Sequence, residues 1–232
     1  MKPQSRFVIH AGINYLVVPP PVISATTRLA FQKAIMDNGL EFSKLENQKN
    51  NITLIRDNPA PLQITVGSQE MQIGQFLVIA PSGPLQQFID ESEAAIKALE
   101  AVWPIPSRQI IKVDATIRQL YETTSPHAFQ ELWETRLGQS SQSLAAFGRP
   151  VRGGGLRFVM DPIKEELPVQ IEVKIESFLN DTTKIFVEIQ FNWPLPAPPG
   201  TPFDARSRLN RLNDYVEKEV SAFLTGGKSD SK

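Results

Sequence analysis

The sequence predicts an α+β protein: a duplicated β-α-β(4)-α unit, its strands in one curved antiparallel sheet and its helices packed on one face. Three observations lead there. First, Ser107–Tyr121 (SRQIIKVDATIRQLY) restarts the pattern of Ser5–Val18 (SRFVIHAGINYLVV), with Ser-Arg at the head of each and apolar–polar alternation behind it. A shift of 102 positions (Ile9 onto Ile111) brings Ala11 onto Val113, Ile13 onto Ala115 and Tyr15 onto Ile117. The shift is even, so the same face stays apolar, as a period-two element requires. Second, Val169–Glu176 and Ile185–Trp193 alternate cleanly around Asn180-Asp181, the mark of a hairpin with one wet face. Third, helical stripes follow these strands, bounded by proline clusters that neither a ladder nor a helix interior accepts.

Taken in order, Arg6–Val18 reads as a strand with Phe7, Ile9, Ala11, Ile13, Tyr15 and Val17 on the core side, stopped by Pro19, Pro20 and Pro21. Ile23, Ala30, Phe31, Ala34 and Ile35 make a helical stripe over Val22–Asn38, with Asn38-Gly39 as its C-terminal cap. Leu40–Asn47 and Ile52–Arg56 are strands around a turn at Gln48–Asn51. Leu62–Val66 and Gln72–Ala80 are two more, joined through Gly67–Glu70. Phe76–Ala80 is continuously apolar, which predicts cover on both faces. Leu85, Phe88, Ile89, Ser92, Ile96, Leu99, Val102 and Trp103 follow helical spacing behind Ser82, Gly83 and Pro84, and Pro104 and Pro106 end the run.

The second unit opens with a strand from Ser107 to Glu122. Ser125-Pro126 is an N-cap signature, and Phe129, Leu132, Trp133 and Leu137 are the stripe behind it. Gln139–Pro150 reads either as a loop or as holding a short strand at Leu144–Phe147. Leu156–Met160 is a strand before the hairpin. Pro194–Gly200 is a stiff connector, and Thr201–Asp204 is a capping pattern for a helix striped by Ala205, Leu209, Leu212, Val216, Val220 and Phe223. The expected division is 1–104 and 105–225, with a frayed tail at 226–232.

Two tandem β-α-β(4)-α units resemble the TATA-box-binding-protein fold, by element order and length over Arg6–Leu224. The resemblance implies a curved sheet with helices on its convex side. That family lines its saddle with basic and apolar residues and wedges base steps apart with phenylalanine pairs. Here alternation places His10, Gly12, Asn14, Lys112, Asp114, Thr116, Arg118, Glu172, Lys174, Glu176, Lys184, Glu188 and Gln190 on the open face, with Phe186 alone breaking the polar row. Mixed signs do not supply the net counterion release that drives DNA affinity, so the fold class is carried over and the DNA-binding role is not.

Composition narrows the function further. Lys+Arg number 24 against Asp+Glu 25, which gives a net charge of −1 and no global field for phosphate backbones or anionic lipid. The chain has no cysteine, hence no disulfide, thiolate metal site or cysteine nucleophile. No window approaches the roughly 20 apolar residues of a membrane span, and MKPQSRFVIHAG does not read as a signal peptide. A cytoplasmic chain with no membrane contact is expected.

Arg149, Arg152, Gly153, Gly154, Gly155 and Arg157 form the most unusual local composition. Consecutive glycines let backbone amides approach an anion and arginines hold it, although no P-loop or dinucleotide spacing is present. Turn chemistry entering a strand is the plainer reading. On the sheet face His10, Asn14, Lys112, Arg118 and Phe186 are candidate contacts. His10 and His127 stand in different units with no ligand spacing, so no metal site and no cofactor are expected, and no nucleophile or carboxylate is placed beside either. Glu165-Glu166 and Glu91/Glu93 read as solvated charge, and Trp103, Trp133 and Trp193 as core anchors. Glu172/Glu176 and Lys184/Glu188 are expected to pair across the hairpin. The first functional expectation is a non-catalytic binding or scaffold protein with a protein partner, acting through the sheet face or the Arg/Gly loop. A nucleic-acid binder using Arg149, Arg152 and Arg157 is the second, and an enzyme the third.

Overall fold

The alternating segments pair into one open antiparallel sheet of nine strands among the described residues, and its buried face shares one hydrophobic cluster with the long helices. The structure is a computed structural model that describes residues 1–48, 50–69, 72–104, 107–163, 168–194 and 196–226. Glu70, the Glu165-Glu166 pair and the expected tail beyond 226 lie outside these residues, as do single positions in the expected turn at 48–51 and connector at 194–200.

The order of elements is β1 (Lys2–Val18), α1 (Ala25–Asp37), β2 (Lys44–Gln48), β3 (Asn51–Arg56), β4 (Leu62–Gln69), β5 (Ile73–Ala80), α2 (Leu85–Val102) and β6 (Gln109–Glu122). Then come α3 (Ala128–Gln130, continued by a π-helical turn, Glu131–Arg136), a 3-10 helix (Ser141–Phe147), β7 (Gly155–Met160), β8 (Gln170–Ser177) and β9 (Lys184–Trp193). The chain closes with α4 (Ala205–Tyr215), a π-helical turn (Val216–Val220) and α5 (Ser221–Thr225).

In space the strands run β2-β3-β4-β5-β1-β6-β9-β8-β7. The two strands that share the Ser-Arg pattern are the central antiparallel pair, with Ile13 opposite Ala115 and Ala11 opposite Ile117. Their inward side chains, Ala11, Ile13, Tyr15, Val17, Val113, Ala115 and Ile117, are buried in one hydrophobic cluster that runs through both halves of the sheet. The helices close this layer. Phe88, Ile89, Ala95, Ile96 and Leu99 of α2 and Leu209 and Leu212 of α4 are buried in it. Phe203, just before α4, inserts between Tyr15 (ring centroids 4.9 Å) and Phe76 (5.4 Å), and its carbonyl accepts the Tyr15 hydroxyl at 3.0 Å. Burial raises the pKa of that hydroxyl, so it stays a donor.

Several expectations are corrected. Leu144–Phe147 is part of a 3-10 helix, so three strands and not four follow β6 among the described residues. A bulge at Ile9 separates the pairs Val8–Gln119 and His10–Arg118, which reverses the alternation before it. Phe7 therefore points to the open face, 60% exposed, while Arg6 turns inward and donates to Gln119, Asn213 and Glu217 (2.6, 2.8 and 2.9 Å). β5 is covered on one face only: Phe76, Val78 and Ala80 are buried, and Leu77 and Ile79 are half-buried on the other side.

The helix boundaries also move. α1 starts at a Ser24–Thr27 capping box. Pro84 is the N-cap of α2 rather than a first-turn residue. His127, not Ser125, caps α3, its Nδ1 accepting the Phe129 N–H at 3.1 Å. Asp204 stands at the N-cap of α4 without a side-chain bond, so the expected capping pattern does not form. In the last helix the wide π-helical turn keeps residues four apart in line, so Leu224 takes the core position expected of Phe223, which is exposed.

Candidate functional site

Strand alternation leaves half of every strand's side chains on the side away from the helices, and these form rows across the sheet. From β3 to the His10–Leu16 stretch of β1 the open face carries Asn51, Thr53 and Ile55, Gln63 and Thr65, Ile73, Gln75, Leu77 and Ile79, then His10, Gly12, Asn14 and Leu16. None is an acid, lysine or arginine. Ile79 lies opposite Gly12 on one side and Gln63 on the other, and Leu77 opposite Asn14 and Thr65. The polar groups between them satisfy one another: Gln75 donates to Asn14 (2.9 Å), Gln63 to Thr65 (3.3 Å), and Thr53 and Thr65 share a hydrogen bond (3.2 Å). Gly12 keeps the row low, since a Cβ there would meet the Ile79 side chain at 3.1 Å.

His10 ends this neutral zone. Burial, and then the Arg118 guanidinium opposite it, depress its pKa below the ordinary histidine value, so it is neutral at pH 7. From His10 a charged row crosses to the far edge: Arg118, Glu188, Lys174 and Arg157 stand on successive strands. Glu188 is only 5% exposed. It accepts from Arg118 Nε, from Lys174 Nζ at 2.7 Å and from Gln190 at 3.0 Å. Burial alone would raise its pKa, but Lys174 and Arg118 outweigh that and hold the carboxyl below its usual range. Glu172 is held down mainly by Arg157, which grips it with two nitrogens at 2.8 and 2.9 Å. Lys112 pairs with Asp114 (3.0 Å), and Lys2 and Lys184 with Glu122 (3.1 and 3.5 Å). The cross-hairpin pair is thus Lys174–Glu188, since Glu172 faces Gln190, Glu176 faces Phe186, and Lys184 turns to Glu122.

Phe186 stands on the open face as expected, and the Ile9 bulge adds a partner that periodicity concealed: Phe7, Leu120 and Phe186 form one apolar row over β1, β6 and β9. In the Arg/Gly segment the three arginines share no partner. Arg149 and Arg152 are exposed and form no ion pair among the described residues, while Arg157 belongs to the sheet. Gly154 donates to Ser177 Oγ (3.1 Å), a Cβ on Gly153 would come within 2.5 Å of that oxygen, and Gly155 begins β7.

Among the hollows that indent the described surface are five of 170 to 620 Å³, and neither His10 nor His127 lines any of these five. One of them, about 540 Å³, lies under the proline-rich connector before α4, between Pro196, Pro198, Pro202, Trp193, Asp204 and Arg208. Arg208 sits 4.8 Å over the Trp193 ring, and the indole N–H has no partner. Asp204, at φ 51, is the only non-glycine residue with a left-handed backbone among those described. One guanidinium and one carboxylate on the same wall select no single charge class of ligand.

No group of three or more His, Asp or Glu that could hold a metal occurs among the described residues, and no helix of the described chain is long and apolar enough to cross a membrane. Comparison of the chain with protein-family models finds no match, and comparison with curated proteins finds none.

Proposed function

We propose that the chain is a non-catalytic binding protein that docks a protein partner on the uncharged half of its open sheet face. The observation that carries this reading is the segregation of charge. From β3 to the His10–Leu16 stretch of β1 the face has no charged side chain, and most charges on either side of it are paired: Lys44 with Glu46 on β2, and Lys112 with Asp114, Arg118 and Lys174 with Glu188, and Arg157 with Glu172 beyond β1, while Glu176 is exposed and in no ion pair among the described residues. Protein interfaces are depleted of charge at their centre and polar at their rim, and this face has that layout. A nucleic-acid surface needs unpaired cations; the face offers Arg118, Lys174 and Arg157 already neutralised, and of the Arg/Gly segment only Arg149 and Arg152 are outside an ion pair among the described residues.

The same reading takes the two halves as copies of one β-α-β-α unit, on the plan of the TATA-box-binding-protein fold. In its favour, Ala11 and Val113, equivalent under the shift of 102, face Ala80 and Trp193, the inward residues of β5 and β9, and each of these strands leads into a long helix. The second copy has a 3-10 helix where the first has β2.

A photo-crosslinking residue at Leu77 tests the docking face in the native cell, with the same residue at Leu29, exposed on α1, as control. A discrete protein adduct at Leu77, absent at Leu29 and unchanged by nuclease, is the expected result. No adduct specific to Leu77, or one that nuclease removes, rejects the reading.

A further inference from the structure

We infer that the outer edge of β7 pairs with β7 of a second copy of this chain, joining two sheets into one across a two-fold axis. This interface uses the sheet edge and is separate from the open face.

The two edges of the sheet differ. β2 (KLENQ) presents Lys44 and Glu46, paired with each other, and charge on an edge strand discourages added strands. β7 (GLRFVM) is the other outermost strand, bonded only to β8, and is exposed along most of its length. Its polar groups can be assigned from the ladder. Ser177 N–H donates to the Gly154 carbonyl at 3.0 Å, so by antiparallel alternation Leu156, Phe158 and Met160 bond to β8 while Gly155, Arg157 and Val159 direct N–H and C=O outward. No proline interrupts the six residues, and Phe158 and Val159 are 38% and 54% exposed.

The strand is complementary to itself in one register. A two-fold axis through Phe158 sets Arg157 of each copy opposite Val159 of the other, so the outward N–H and C=O groups of both residues pair. No like charges then face each other, because each Arg157 stays on its own Glu172. Moving the axis to Arg157 would set two guanidinium groups face to face, which is destabilising. On the helix side the Phe158 register also brings together the two apolar hollows of about 170 Å³ lined by Phe158, Met160, Tyr215 and Phe223, where Phe158 and Phe223 already meet edge to face at 5.5 Å. An edge of six residues makes a contact at the small end of protein interfaces, so association in the micromolar range is expected.

The chain has no cysteine, which makes the register testable by cross-linking. At the axis the Phe158 positions form a non-hydrogen-bonded pair with Cα atoms about 4.5 Å apart, within disulfide reach. Phe158→Cys should oxidise to a covalent dimer, whereas Leu45→Cys on β2 should not. In sedimentation, the native chain should pass from single to doubled mass with concentration. Val159→Pro removes an outward donor without breaking a β8 bond; it should abolish both the mass increase and the Phe158→Cys cross-link while keeping the native circular dichroism spectrum. A chain monomeric at all concentrations, equal oxidation at both cysteine positions, an unaffected Val159→Pro dimer, or growth past the dimer would each overturn the inference.

Discussion

Replacing Glu188 by glutamine removes the charge at the centre of the row that neutralises half of the open face. The carboxylate is almost fully buried and receives Lys174, Arg118 and Gln190. Hydrogen bonds to charged groups contribute about 1.5–3 kcal/mol each when desolvated, but exposed ion pairs only about 0.2–1 kcal/mol. Arg118 and Lys174 are 43% and 31% exposed, and the amide keeps one acceptor, so the loss falls between these limits, at about 2 kcal/mol in total. For a chain of this length that lowers Tm by about 4–8 °C. The pH dependence identifies the cause. A carboxyl whose folded pKa is depressed stabilises the native state above its unfolded pKa and loses that effect as pH falls through the folded value. Glu188→Gln lacks the titration, so the gap in Tm should be full at pH 7 and close progressively below about pH 4. Differential scanning fluorimetry across this range is the assay. A gap under about 1 °C at pH 7, or one that stays constant into acid, would refute the electrostatic account of the row.

Other perturbations test the packing and the charge balance. Tyr15→Phe leaves the Phe203 carbonyl without its buried donor and should cost about 1 kcal/mol, read as a lower midpoint in urea with an unchanged slope. Phe203→Ala empties the slot between Tyr15 and Phe76 and should cost about 3–5 kcal/mol by the same titration. Gly74→Ala forces a Cβ to within 2.5 Å of Pro21 Cδ and 2.8 Å of Val17 Cγ2, so overpacking of about 1–3 kcal/mol is expected in thermal melts. Labelled single- and double-stranded oligonucleotides should show no salt-sensitive shift in gel mobility; a shift abolished by alanine at Arg149, Arg152 and Arg157 would restore the nucleic-acid reading.

The parts of the fold legible in the sequence are those where one face is buried and the other wet. Beyond the Ile9 bulge the central strands, like the β8–β9 hairpin, alternate so regularly that their inward residues can be named, and α2 and α4 carry stripes that the core absorbs. Local composition failed where two backbone states share one pattern. Leu144–Phe147 is apolar enough for a strand, but its neighbours bond it into a 3-10 turn closed by Gly148 in a left-handed conformation. The Ile9 bulge leaves the apolar run Phe7–Ile9 unchanged in composition and moves Phe7 to the opposite face. Phe76–Ala80 is apolar on both faces, so periodicity could not say that Leu77 and Ile79 stand uncovered. That stretch was the available signal for the binding face: a run apolar on both sides, in a sheet with helices on only one, leaves apolar side chains for something else to cover.

The decisive measurement is the affinity of the protein captured at Leu77 for three forms of the chain: native, Ile79→Lys with its charge in the neutral zone, and Met36→Lys on the exposed side of α1. Docking on the open face predicts at least about a tenfold loss for Ile79→Lys and no change for Met36→Lys. Equal binding by all three, or a loss with Met36→Lys alone, would contradict it.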